Sequence, residues 1–107
     1  MNTTLYLLNS PVLTGHGLWR FSPLDQERAR ALAASGFVSA IGHEGAAHLL
    51  SEVLGMEVST ARIRAELTPG DKAIVLRLLE RLPPGAVLDA EAMHAIPWEL
   101  SLLERLE

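Results

Sequence analysis

The stretch Phe37-Val38-Ser39-Ala40-Ile41-Gly42-His43-Glu44-Gly45-Ala46-Ala47 decides the fold. Up to Ile41 it is a short apolar run, which predicts a strand. Beyond Gly42 the apolar residues Ala46, Leu49, Leu50, Val53 and Leu54 recur at three- and four-residue spacing, and Gly55 closes the helix they describe. A strand that leads straight into a helix belongs to an α/β protein.

The pattern extends in both directions. Thr4-Leu5-Tyr6-Leu7-Leu8 reads as a buried strand entering a turn at Asn9-Ser10-Pro11, followed by a loop through Gly15-His16-Gly17. Ser22-Pro23-Leu24-Asp25 supplies an N-cap, a proline at the first helical position and an acid in the first turn, so a helix is predicted from there to Ser35-Gly36. From Val58 to Leu67 the residues alternate, with Ile63, Ala65 and Leu67 on one side and Arg62, Arg64 and Glu66 on the other. This predicts a half-exposed strand, paired through the turn Thr68-Pro69-Gly70-Asp71 with a more buried strand at Ala73–Leu79. Pro83-Pro84-Gly85 makes a rigid loop, and Asp89 caps a short helix to about His94. Trp98–Leu106 fits a half-exposed strand and one face of a helix equally well. The expectation is one α/β domain over residues 1–107, a mixed β-sheet flanked by helices.

Composition narrows the function classes. At 107 residues, 49% hydrophobic and 21% charged, the chain suits one folded domain. No apolar run approaches the ~18 residues that span a bilayer. The start, Met1-Asn2-Thr3-Thr4, lacks the basic region of a signal peptide, which predicts a cytoplasmic protein with no membrane partner. There is no cysteine, so disulfides and thiolate metal sites are excluded. A net charge of −4 argues against long nucleic acids, though not against a short enclosed anion held by a few arginines. Eight of the nine basic residues are Arg, a bias that compositional drift explains as readily as phosphate recognition.

Several residues carry candidate chemistry. His43 sits at a helix start beside Gly42 and Gly45, where open N–H groups and the helix dipole favour a phosphate. That field disfavours an imidazolium, while a bound phosphate favours one, so His43 is a candidate general acid; its alternative role is to cap the helix. Asn9 and Ser10 follow a strand directly, where α/β proteins place ligand contacts, or where a plain turn forms. Arg81 sits at a strand end fixed by the Pro-Pro-Gly loop and suits a phosphate or transition-state charge. His43 and His48 are five apart, on different faces of a helix, so no helical zinc pair is expected. No phosphate-binding loop, dinucleotide fingerprint, nucleophile elbow or paired-carboxylate motif is present, and no cofactor is expected.

Taken together, the segments Leu5-Tyr6-Leu7-Leu8-Asn9, Phe37–Glu44, Arg62, Leu67-Thr68-Pro69-Gly70-Asp71, Arg81-Leu82-Pro83 with Gly85, and Leu102-Leu103 resemble the viral anti-CRISPR ring nucleases and their cellular relatives. The resemblance implies a metal-independent phosphodiesterase that cleaves cyclic tetra-adenylate and so switches off the effectors of type III CRISPR immunity. It assigns catalysis to His43 and Arg81, and substrate binding to Asn9, Ser10, Gly42, Glu44, Gly45 and Arg62. Pro84 stands where the family often has Glu, and Val12 where it has a polar residue.

RNA supplies its own nucleophile in the 2′-hydroxyl, so such an enzyme needs only alignment and a proton for the departing 5′-oxygen. A ring of four equal nucleotides contains a twofold axis that an isologous homodimer can share. The resemblance therefore predicts a homodimer with the ligand on its axis, covered by mobile loops such as Asn9 to Trp19. Two other classes stay open: a protein that sequesters the cyclic nucleotide without cleaving it, and an interaction protein with no nucleotide ligand.

Overall fold

The run Ala73-Ile74-Val75-Leu76 is apolar on both sides, as a strand covered on both faces must be, and all four residues are at most 1% exposed. It forms the middle of β4 (Lys72–Leu78), the central strand of a five-stranded mixed sheet. A computed structural model describes residues 3–79 and 97–107. Its other strands are β1 (Leu5–Leu8), β2 (Trp19–Pro23), β3 (Val38–Ser39) and β5 (Trp98–Arg105), and its helices are α1 (Gln26–Ala33) and α2 (Glu44–Leu54). The strand order is β2-β5-β4-β1-β3. β1 is parallel to β3 and to β4, whereas β5 is antiparallel to β4 and β2.

Register divides the core into two layers. Leu7, Ile74 and Leu102 stand side by side across β1, β4 and β5 and meet Ala29 and Ala33 of α1 and Leu49, Leu50 and Val53 of α2. Both helices thus cover one face. On the opposite face Leu8, Ala73, Val75 and Leu103 pack with Leu67 and Ala65. Among the described residues no helix is long and apolar enough to cross a membrane.

The α/β class, the mixed sheet, β1, β4 and α2 agree with the sequence. Trp98–Arg105 is a strand, which resolves the ambiguity there. Three readings need correction. Ser22 and Pro23 do not start a helix: they end β2, an edge strand, where a proline costs no ladder bond. The N-cap of α1 is Asp25, whose carboxylate accepts from the Arg28 amide at 2.7 Å.

Residues 58–67 form no strand, and the expected hairpin with β4 is absent. The chain there is irregular and buries Leu67, and its polar groups bond outside any ladder: the Leu67 amide donates to Thr14 Oγ1 at 3.0 Å and the Tyr6 hydroxyl to the Glu66 carbonyl at 3.4 Å. A segment that packs Ala65 and Leu67 on a sheet face can alternate in sequence like a strand without pairing like one. The Phe37–Ile41 strand is shorter than expected, only Val38–Ser39. The Pro-Pro-Gly loop and the helix expected at Asp89–His94 lie outside the described residues.

At the N-terminal ends of β1 and β4 the buried Asp71 ties the chain together. Its carboxylate accepts from the Thr4 amide at 2.8 Å, the Thr68 amide at 2.9 Å and the Thr68 hydroxyl at 3.0 Å. Burial alone raises its pKa, but these bonds and the charge of Arg105 outweigh it and hold the carboxyl below its ordinary value of 3.8. Arg105 stacks on Trp19 and donates to the Leu67 carbonyl at 2.6 Å and the His16 carbonyl at 2.8 Å. Asp71 and Arg105 together fasten the two long connections, 9–18 and 59–71, at this end of the sheet.

Candidate functional site

Because β1, β3 and β4 run the same way, their C-terminal ends share one sheet edge, the usual ligand edge of α/β proteins. Asn9 and Ser10 follow β1 on this edge, and Ala40–His43 follow β3 and lead into α2. The segment after α2 runs alongside: the Ser39 hydroxyl donates to the Ser59 carbonyl at 2.6 Å, and the Ala61 amide to the Ile41 carbonyl at 2.9 Å. These bonds carry Arg62 to Gly42. A Cβ built on Gly42 would lie 3.4 Å from Arg62 Cγ, so the arginine stem packs against the turn before the helix. Gly42, His43 and Arg62, twenty positions apart in sequence at their widest, are thereby neighbours.

His43 is the N-cap of α2, with φ −113° and ψ 120°. Its Nδ1 accepts from the Ala46 amide at 3.1 Å, satisfying one of the open N–H groups of the first turn. A backbone amide can only donate, so Nδ1 carries a lone pair here and the ring proton sits on Nε2. Of the two roles open for this histidine, capping is the one the geometry displays. Glu44 is exposed in the first turn, where a carboxylate complements the helix dipole, and Gly45 is buried.

A cleft of about 360 Å3 opens beside this turn. Leu8 lines it from β1 and Ala40 from the turn after β3, together with Asn9, Ser10, Ile63 and Arg64. His43 does not line it, but Ala40 does, and three residues of chain reach at most about 10–11 Å. Among the described residues the side chains of Asn9 and Ser10 make no hydrogen bond, so both are free for a ligand. His48 lines a separate groove along α2 with Glu44, Glu52 and Glu57. Among the described residues no group of three His, Asp or Glu is placed to hold a metal ion.

Of the residues singled out from sequence, Asn9 and Ser10 share the cleft, and Gly42, His43, Glu44, Gly45 and Arg62 form the adjoining helix start. Arg81, with Pro84, lies outside the described residues. Sequence reasoning passed over Arg64, reading it as a solvated partner of Arg62 on one strand face. It also treated Val12 only as a departure from a pattern, and it missed Leu13 and Ile63, which with Val12 line the cleft. The signal available was their apolar character within segments otherwise rich in turn-forming or charged residues.

Comparison with known proteins agrees with the fold. Uncharacterized protein ORF117 of Acidianus two-tailed virus is 32% identical over 113 aligned positions, covering 99% of this chain and 97% of that protein. Uncharacterized protein 26 of a Sulfolobus islandicus filamentous virus is 33% identical over 106 positions, covering 94% and 90%. The structure of B116 of Sulfolobus turreted icosahedral virus is similar, with a TM-score of 0.73 over 95% of this chain and 99% of that one, at 18% identity. The model of the STIV B116-like family matches residues 5–100, and the chain belongs to that family.

Proposed function

We propose that this protein is a metal-independent ring nuclease that cleaves cyclic tetra-adenylate into linear di-adenylates ending in 2′,3′-cyclic phosphate, and so silences type III CRISPR effectors. One observation carries the reading: a histidine at a helix N-terminus, an arginine packed on the glycine before it, and a cleft with unengaged Asn9 and Ser10 occupy one sheet edge. This is an arrangement suited to a phosphodiester.

The 2′-oxygen of one nucleotide attacks the adjacent phosphorus, its proton passes to water, and the P–O5′ bond breaks. His43 protonates the departing O5′, a contribution of about 10²–10⁴-fold. Amides of the first turn of α2, with Arg62, stabilise the charge on the phosphorane. As a cap, however, His43 holds its lone pair toward Ala46 and has only the Nε2 proton, which neutral imidazole does not release readily. To act as an acid it must carry a second proton at Nδ1, and the Ala46 amide then needs another acceptor. A non-bridging phosphate oxygen at the helix start can serve, so substrate binding and activation of His43 are one event. A homodimer sharing the twofold axis of the ring brings two such sites to opposite phosphodiesters.

The capping bond also favours a second reading, sequestration without cleavage, because it accounts for His43 with no catalytic role. Incubating the protein with labelled cyclic tetra-adenylate in EDTA separates the two. Linear di-adenylates support the nuclease, tight binding without products selects sequestration, and neither result removes both.

A further inference from the structure

β3 is only two residues long, and a side chain ends it. The Ala40 amide makes the last bond to β1, donating to the Leu7 carbonyl at 3.0 Å. The Ile41 amide turns back instead to the hydroxyl of Ser39 at 3.4 Å, the kind of local bond with which serine competes against a ladder. The same hydroxyl donates to the Ser59 carbonyl at 2.6 Å, a short bond. One hydroxyl thus joins the turn that leads into α2 to the segment that returns from it. The Ala61 amide adds a second tie, to the Ile41 carbonyl at 2.9 Å. Among the described residues these two bonds are the hydrogen bonds that hold residues 59–62 to the turn.

Arg62 comes next along the chain, with its Cγ 3.4 Å from where a Cβ on Gly42 would lie. It is exposed, and among the described residues its guanidinium has no hydrogen bond or ion pair. Its own head group therefore does not fix where its charge stands; the backbone tied down at Ser59 and Ala61 does. We infer that Ser39 is a positioning residue: its hydroxyl, bridging Ile41 and Ser59, sets the backbone from which Arg62 reaches the start of α2. The inference rests on the reading of that helix start as a phosphodiester site, and it adds a residue that acts through Arg62 alone. A hydroxyl suits the task because it donates and accepts at once. Without it the Ile41 amide loses an acceptor and the Ser59 carbonyl a donor, and the segment keeps only the Ala61 tie.

The test compares Ser39→Ala with Ser39→Thr, which keeps the hydroxyl, in the full chain. Ser39→Ala is also made together with Arg62→Met, and Gly55→Ala, at the far end of α2, controls for stability lost away from the site. The first readout is a nuclear Overhauser contact between the Arg62 γ protons and the Gly42 α protons, which needs no ligand. The second is kcat/KM for cyclic tetra-adenylate. Ser39→Ala is expected to lose the contact and to fall about 10- to 100-fold in kcat/KM, as a catalytic charge displaced by about 1 Å does. Ser39→Thr keeps the contact and stays within about 2-fold of the unmodified protein. With Arg62→Met already present, Ser39→Ala should change the rate by less than about 2-fold, because the group it positions is gone. A contact that survives in Ser39→Ala, an equal fall with and without Arg62, or a fall no greater than that of Gly55→Ala overturns the inference. If the unmodified protein cleaves no ring, the nuclease reading falls and the contact alone decides. Lost in Ser39→Ala and kept in Ser39→Thr, it upholds the positioning role; any other pattern removes it.

Discussion

Replacing His43 with Asn and with Ala separates the cap that the structure shows from the acid role proposed for the same ring. As the N-cap of α2, His43 accepts from the Ala46 amide at 3.1 Å through Nδ1. Alanine removes that acceptor and leaves the amide half-buried, at a cost of about 0.5–2 kcal/mol. For a domain of this size that lowers the melting temperature by roughly 2–8 °C. Asparagine restores an oxygen acceptor at the same position and is among the best N-cap residues, so His43→Asn should melt at or above the temperature of the unmodified protein. Neither residue donates a proton as imidazolium does, so both should lose about 10²–10⁴-fold in single-turnover cleavage of cyclic tetra-adenylate. Stability and activity therefore diverge in Asn and fall together in Ala. Cleavage by His43→Asn within a few-fold of the unmodified rate would refute the acid role and leave His43 a cap alone.

Further outcomes follow from other contacts. Arg62→Met keeps an apolar stem over Gly42 but no charge, so thermal stability should stay within about 0.5 kcal/mol while kcat/KM for the ring falls; a change confined to stability would contradict a role at the phosphate. Asp71→Asn places an amide where two Thr68 donors point, which costs about 1–3 kcal/mol at neutral pH in denaturant titrations. Because the folded-state pKa of Asp71 lies below 3.8, its stabilisation is fully present above that value and disappears as pH falls through the lowered one. Stability measured over that acid window should therefore fall less steeply in Asp71→Asn than in the unmodified protein. Gly55 caps α2 with φ 70° and ψ 25°, a left-handed conformation, so Gly55→Ala should cost about 1 kcal/mol with no change in cleavage.

What the sequence makes legible here is whatever a side-chain pattern alone determines. Ala73–Leu76 reads as a doubly buried strand, and Ala46–Leu54 with Gly55 reads as a helix with its cap, because burial periodicity is local. Pairing is not local. The alternation of residues 58–67 anticipates one buried side, of which the structure keeps Leu67 and leaves Ile63 exposed, and it contains nothing about where its N–H groups go. They go to Thr14 and to the turn after β3 rather than to β4. The same limit hides β2. Trp19–Pro23 has mixed polarity because it is an edge strand, and its Ser-Pro pair imitates a helix start that Asp25, three residues on, supplies.

The site divides along a related line. Strand ends and helix starts are visible as composition, so Asn9, Ser10 and Gly42–Gly45 could be named, and the topology gathers them because three parallel strands end together. Which arginine goes where depends on a segment that joins no ladder: Arg62 turns to Gly42 and Arg64 to the cleft, although a regular strand would put both on one side. His43 was legible as a polar residue at a helix start, and either role fits that description. In the folded chain Nδ1 cannot accept from Ala46 and hold a proton at once. If His43 is the acid, the cap must be surrendered when phosphate arrives, and part of the binding energy is then spent on replacing it. On the nuclease reading, the helix start closed by its own histidine has to be opened by the anion before the proposed acid can act, and binding and cleavage then depend on one and the same exchange of hydrogen bonds.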